Sequence, residues 1–278
     1  MTGIDVPSIV DEASALMGRP LEFRRELSGG AHARTLLVRD GSDDAVVRVF
    51  PPGDAAVHHE VSVLPRLRSL GEQVPRVLGH GIAAGHPLIV TSVVAGSTPD
   101  PTVSLHRIAA QMAMMLARIH AIDPAGLRDA EVRPPEGASS LARHAHEASR
   151  KLQALERVLT HYDYWSGNAL WNGDVLSGVV DWSGARAAPR GVDVAWCRQD
   201  LALLGSADAA DHFLRVYEEH AGTVVSDVGV WDLVAAAHAD SSVETWTTNY
   251  RGVGRPELSA PVLRQRFEEW VHAIGDGN

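Results

Sequence analysis

One stretch constrains this chain more than any other: THYDYWSGNALWNGDVLSGVVDWSGA, residues 160–185. It sets His161, Asp163 and Asn168 in the spacing H-x-D-x-x-x-x-N, and Asp181 follows Asn168 by thirteen residues at the end of an apolar run. Between them, Asn172-Gly173-Asp174 is a tight-turn signal flanked by Ala169-Leu170-Trp171 and Val179-Val180. The stretch predicts a loop, a short β-hairpin and a second acidic residue just past the returning strand. Such a hairpin would carry Asn168 and Asp181 to the same end.

That pattern suits phosphoryl transfer, which needs a carboxylate near the attacking hydroxyl and metal ions on the phosphates of the nucleotide. In kinase-type sites a loop Asp takes the first task, while an Asn five residues on and an Asp past the hairpin hold Mg²⁺. Here these are Asp163, Asn168 and Asp181. A carboxylate and an amide supply the oxygen ligands that hard Mg²⁺ prefers. The stretch resembles the aminoglycoside phosphotransferase and choline kinase-like family, which shares the protein kinase-like fold. The block WSGNALW, residues 165–171, is similar to that family's W-x-G-N-x-L-W, and GVDVA, residues 191–195, to its G-x-D-x-A element. His161-Tyr162-Asp163 and Asp181-Trp182-Ser183 stand where protein kinases carry H-R-D and D-F-G. The resemblance implies that His161 orients the loop and Asp193 braces it, both as structural support. It runs from about residue 21 to about residue 250 and is strongest over 161–193.

Around this centre the chain reads as two lobes, residues 1–95 for the nucleotide and 96–278 for catalysis and the acceptor. A helix is expected over 7–17, stopped by Gly18, then strands over 21–27, 35–39 and 46–50 with an Asp40-Gly41 turn. Ser28, Gly29, Gly30 and Ala31 lie between the first two strands, where glycines let the backbone approach a phosphate. A Gly-Gly hairpin turn reads the same, but the family places its nucleotide loop here. Arg48 occupies the position of the family's nucleotide lysine. The alternative is a solvent-facing Arg on an edge strand. Arg is always charged, yet its planar fork places its donors differently. Glu60, on a helix expected over 55–70, resembles the partner of that cation, with Asp54 and His59 as alternatives nearer solvent. Pro65 should kink this helix or end it early. Strands over 74–78 and 87–91 lead into residues 92–96, which resemble the hinge. There the backbone around Thr91 and Val93 would meet the adenine edge. Turn-rich GSTPDP, residues 96–101, marks the lobe boundary.

The second lobe reads as helices over 103–122, 141–159, 192–204, 207–220, 228–250 and 261–274. The acceptor would sit against the C-terminal helices, which makes Asp200, Asp240, Glu244, Trp246 and Tyr250 its candidate contacts. Carboxylates suit an aminated acceptor, and Trp or Tyr could stack on a cation. Trp246 and Tyr250 could equally pack on a core, and His144 and His146 read as a solvated helix face.

Composition narrows the function classes. A net charge of −10 and a pI of about 5.7 argue against a general nucleic-acid binder and are compatible with a cationic substrate. Cys197 is the only cysteine, so no intrachain disulfide is possible. No signal sequence or membrane-length apolar run is visible, which makes a cytoplasmic enzyme the expectation. The chain also lacks the G-x-G-x-x-G and A-P-E elements of protein kinases. The sequence thus predicts an α+β, two-lobed kinase-like fold. Its expected activity is transfer of the γ-phosphoryl group of ATP or GTP, with Mg²⁺, to a hydroxyl of a small acceptor, for example an aminoglycoside-like antibiotic or an amino alcohol. The alternative is a degenerate relative that binds nucleotide without turnover.

Overall fold

The computed structural model describes residues 4–27, 33–130, 137, 139–152 and 156–276. The chain divides into two compact units, residues 1–96 with 177–184, and residues 97–176 with 185–278. No helix among the described residues is long and apolar enough to cross a membrane.

The first unit is built on an antiparallel sheet. In chain order its elements are α1 (Val6–Met17), β1 (Glu22–Leu27), β2 (Arg34–Asp40), β3 (Asp43–Val49), α2 (Ala56–Val63), β4 (Val77–Ala83) and β5 (His86–Ser92), with strand order β1-β2-β3-β5-β4. Alternation decides the faces. Leu36 and Val38 of β2 and Ala45, Val47 and Val49 of β3 are buried in one cluster with Ile9, Val10 and Ala13 of α1. Arg48, between two of those core residues, therefore faces the opposite side of the sheet. Helix α1 is capped by Asp5, whose carboxylate accepts from the Ser8 amide at 2.8 Å, and ends at Gly18 in the left-handed region. Helix α2 stops at Val63. The chain continues as a 3-10 segment, Leu64–Gln73, because Pro65 lacks the amide that an α-helix interior requires.

Residues 177–184 return to this first unit. Gly178 explains how closely: a Cβ there would lie 2.3 Å from Val94 Cγ1 and 2.5 Å from the Gln73 carbonyl oxygen. Trp182, fully buried, donates its indole N–H to the Val179 carbonyl at 3.0 Å and packs against α2.

The second unit is mostly helical. It comprises α3 (Leu105–His120), α4 (Ser140–Ala148), β6 (Arg157–Thr160), β7 (Ala169–Asn172), the start of β8 (Val175–Val179), β9 (Arg186–Pro189), α5 (Gly191–Leu203), α6 (Ala207–Ala221), α7 (Val228–Ala239), α8 (Thr247–Gly252) and α9 (Ala260–Asp276). Strands β7 and β8 form the expected hairpin, with Gly173 at φ +64 in its turn. The apolar face of α3 is buried as its periodicity predicts, Ile108, Met112, Met115, Leu116 and Ile119 among it, and packs on α6.

Two expected helices are corrected. The one predicted over 141–159 ends at Ala148, and residues 157–160 form β6, paired antiparallel with β9 from Arg157↔Pro189 to Thr160↔Arg186. Val158, Leu159 and Thr160 are all buried in that pairing, and a distant partner strand outweighs local helical spacing. The helix predicted over 228–250 breaks after Ala239. Ser242 and Thr245 there bond locally, the Ser242 amide to the Ala239 carbonyl at 2.9 Å and the Thr245 hydroxyl to the Ser242 carbonyl at 2.6 Å.

Candidate active site

In the second unit, β6 delivers the chain into the loop that carries Asp163. His161 is fully buried at its start. Tyr162 adopts φ +68, a left-handed backbone rare for an aromatic residue, which persists only where the surroundings impose it. They do so here. Asp193 accepts from the His161 amide at 2.6 Å and from the Tyr162 amide at 2.8 Å, and the Arg186 guanidinium lies 4.1 Å over the Tyr162 ring. Asn168 sits on a short 3-10 turn, Ser166–Asn168. Its side-chain amide nitrogen donates to the Asp163 carbonyl at 2.9 Å and to Asp163 Oδ2 at 3.1 Å. That orientation turns the Asn168 amide oxygen away from Asp163.

Helix α5 supports this loop at three points. Asp193 takes the two amides just named. Trp196 donates its indole N–H to Asp163 Oδ1 at 3.1 Å, and Asp200 Oδ2 accepts from the Ser166 amide at 2.9 Å. The spacing 193, 196, 200 places all three on one helix face. Asp193 also accepts from or bonds to His120 Nε2 at 3.2 Å, while His120 Nδ1 meets the Tyr217 hydroxyl at 2.7 Å. Burial pushes the His120 imidazole below its ordinary pKa, and the bond to Asp193 opposes this only in part.

The first unit carries the cation. Arg48 Nη1 donates to both oxygens of Glu60 at 2.8 Å, and Nη2 donates to Asp181 Oδ1 at 2.6 Å. The Arg48 side chain is 14% exposed and Glu60 1%, while Asp181 is 38% exposed. Burial works against the Arg48 charge, but Glu60 and then Asp181 more than offset it and hold its pKa above the ordinary value. Strand β3 is internal to the sheet, so Arg48 is not the edge-strand residue that was its alternative reading. Asp181 also has a left-handed backbone, φ +63, and accepts from the Ser183 hydroxyl at 3.0 Å. Of the alternatives to Glu60, Asp54 lies just before α2 and accepts from the Ala56 amide at 2.7 Å.

The other expected residues fall as follows. Thr91 is buried in β5 between Val46 and Val77, and Val93 follows the strand, 40% exposed. Ser28, Gly29 and Gly30 lie outside the described residues. Two of the expected acceptor contacts are buried and bonded to each other. Asp200 and Tyr250 are 3% and 2% exposed, and the Tyr250 hydroxyl donates to Asp200 Oδ1 at 2.9 Å. Burial raises the pKa of both groups. Tyr250 also meets the Trp165 ring edge-on, with centroids 5.7 Å apart. Asp240 and Glu244 are both engaged by Arg264, at 3.3 and 2.6 Å. Trp246 is half-buried against Trp196, with centroids 5.6 Å apart.

Trp196 was not anticipated from the sequence. Its one visible signal is the three-residue offset from Asp193. As for a metal, the amide oxygen of Asn168 and the part-exposed carboxylate of Asp181 are hard donors that suit Mg²⁺. Among the described residues no group of three or more His, Cys, Asp or Glu gathers to hold a metal.

A family model described as "Phosphotransferase enzyme family" matches residues 24–155 and 128–232. No curated protein sequence matches the chain. Among solved structures, choline kinase LicA from Streptococcus pneumoniae is 18% identical, with 96% of this chain and 98% of that one covered and a TM-score of 0.66. A spectinomycin phosphotransferase solved with ADP and spectinomycin is 12% identical, covering 95% and 99%, with a TM-score of 0.64. An aminoglycoside-3'-phosphotransferase of type VIII is 22% identical, covering 82% and 98%, with a TM-score of 0.60. At these identities the structures establish a shared kinase-like fold.

Proposed function

The chain belongs to the phosphotransferase enzyme family, and we propose that it moves the γ-phosphoryl group of ATP or GTP to a hydroxyl of a small acceptor of the aminoglycoside or amino-alcohol class. One observation carries the reading. Asp163, the candidate base, is held on a single short loop together with Asn168, the candidate metal ligand, by bonds of 2.9 and 3.1 Å. A protein that only bound nucleotide would have no use for an oriented carboxylate beside that amide.

Asp163 would orient the acceptor hydroxyl and take its proton as the oxygen attacks the γ-phosphorus. The bond from that phosphorus to the β–γ bridging oxygen breaks, and the nucleoside diphosphate leaves. Asn168 and Asp181 are the residues that would hold Mg²⁺. When bound, the ion neutralises charge on the phosphates and leaving oxygen. Arg48, fixed by Glu60, would present its guanidinium to the α- and β-phosphates, and residues 28–31 would cover them. The acceptor class rests on the net charge of −10 and on the half-buried Trp246 indole, which suits a cationic or apolar surface.

The test is a transfer screen with ATP and GTP, in the presence of Mg²⁺, against spectinomycin, hygromycin B and choline, alcohols that solved relatives are named for or contain. A phosphate ester should appear by ³¹P NMR for at least one. Asp163→Asn should lower kcat by about 10²–10⁴-fold, the usual worth of a general base. Near-normal turnover in that variant would remove Asp163 from the mechanism.

A further inference from the structure

We propose that Trp196 is a positioning residue for the Asp163 carboxylate, acting through its indole N–H. The proposal rests on the phosphotransferase reading and adds to it a residue that no motif marks. Asp163 Oδ1 accepts from Trp196 Nε1 and Oδ2 accepts from Asn168 Nδ2, each at 3.1 Å. A carboxylate on two rotatable bonds is thus gripped from two sides, which fixes which lone pairs face the reacting hydroxyl.

Trp suits the task for three reasons. Its ring nitrogen is a donor and never an acceptor, so it orients the base without competing for the proton. Its long, flat side chain has only two torsions, and its ring packs against Trp246 with centroids 5.6 Å apart. Its place on α5 is fixed by neighbours that bind the same loop, Asp193 through the His161 and Tyr162 amides and Asp200 through the Ser166 amide. Trp196 is the one member of that face whose bond ends on a reacting group instead of on backbone. Its removal should therefore act on the chemical step and leave nucleotide binding alone.

Trp196→Phe keeps a ring against Trp246 and deletes the N–H. Its kcat should fall by about 10–100-fold, the scale on which a misplaced catalytic group slows a reaction, with the nucleotide KM and the thermal midpoint unchanged. The rate is measured with the fastest acceptor among spectinomycin, hygromycin B and choline, or as nucleotide hydrolysis to water if none is phosphorylated. A second readout is independent of turnover. The Trp196 indole ¹H–¹⁵N resonance, assigned by its loss in Trp196→Phe or by spectra of selectively labelled wild type, should move upfield in Asp163→Ala.

Unchanged kcat in Trp196→Phe overturns the proposal while leaving the phosphotransferase reading intact. A fall in kcat matched by a rise in nucleotide KM, or by a lower thermal midpoint, also overturns it, since Trp196 would then be only a packing residue. If Trp196→Phe does not fold, the indole resonance decides, and no movement in Asp163→Ala overturns the proposal. A wild type without turnover toward any probe or water removes the functional reading itself, and the proposal with it.

Discussion

Arg48 binds two carboxylates at once, and the difference in their burial determines what its removal does. Glu60 is 1% exposed and cannot recover water, whereas Asp181 is 38% exposed and can. Arg48→Met should therefore destabilise the protein by about 3–5 kcal/mol through the loss of the buried ion pair with Glu60. Arg48→Met with Glu60→Leu should recover most of that loss, and urea unfolding of the four-protein cycle measures it. Full additivity of the two substitutions would contradict the ion pair. At this scale the sequence was legible where spacing alone brings residues together, as for Arg48 and Glu60, which pair, and for Asp163 and Asn168, which share one loop. It was not legible where a side chain serves a backbone amide. Asp200 reads as an acidic contact for a cationic acceptor, but its partners, the Ser166 amide and the Tyr250 hydroxyl, lie 34 and 50 residues away. Trp196 could not be found by residue type, because nothing in a sequence shows where an indole N–H points.

Helices α3, α5 and α6 meet in a buried chain of bonds, Asp193 to His120 to Tyr217, and Arg190 adds a bond to the Tyr217 hydroxyl at 2.9 Å. This chain makes stability depend on pH. In the unfolded chain the imidazole of His120 takes up a proton near its ordinary pKa of 6.5, while burial in the folded state holds its pKa lower. The unfolded state therefore binds more protons, and stability falls as pH is lowered from about 6.5 towards the depressed folded pKa. Thermal midpoints measured from neutral to mildly acidic pH should show it as a difference between wild type and His120→Gln, with wild type losing more stability as pH falls. An unchanged pH slope in the variant would show that His120 is not the group responsible. Elements were legible in proportion to how local their causes are. Helix α3 follows from periodicity, α1 from Gly18, and the end of α2 from Pro65. Strand β6 was hidden because its reason is β9, some thirty residues downstream, and the break after α7 because Ser242 and Thr245 act through bonds no wider than a turn.

At the scale of the molecule, the sequence conveyed two lobes and their order, and the family match with the kinase-like fold of the solved relatives agrees with that class. It did not convey that residues 177–184 leave the second unit for the first, carrying Asp181 to Arg48. That return depends on Gly178 fitting against Val94 and Gln73, a matter of tertiary packing. Phosphoryl transfer to any alcohol requires a Mg²⁺-dependent nucleotide site. The most direct measurement is thus the thermal stability of the purified protein with ATP or GTP, with and without Mg²⁺, in wild type and in Asp181→Ala. A ligand that binds only the folded state at a hundred times its Kd adds about 2.7 kcal/mol. A Mg²⁺-dependent rise in Tm with at least one nucleotide is expected, together with its loss in Asp181→Ala. No rise with either nucleotide at saturating concentration, or an undiminished rise in Asp181→Ala, would contradict such a site.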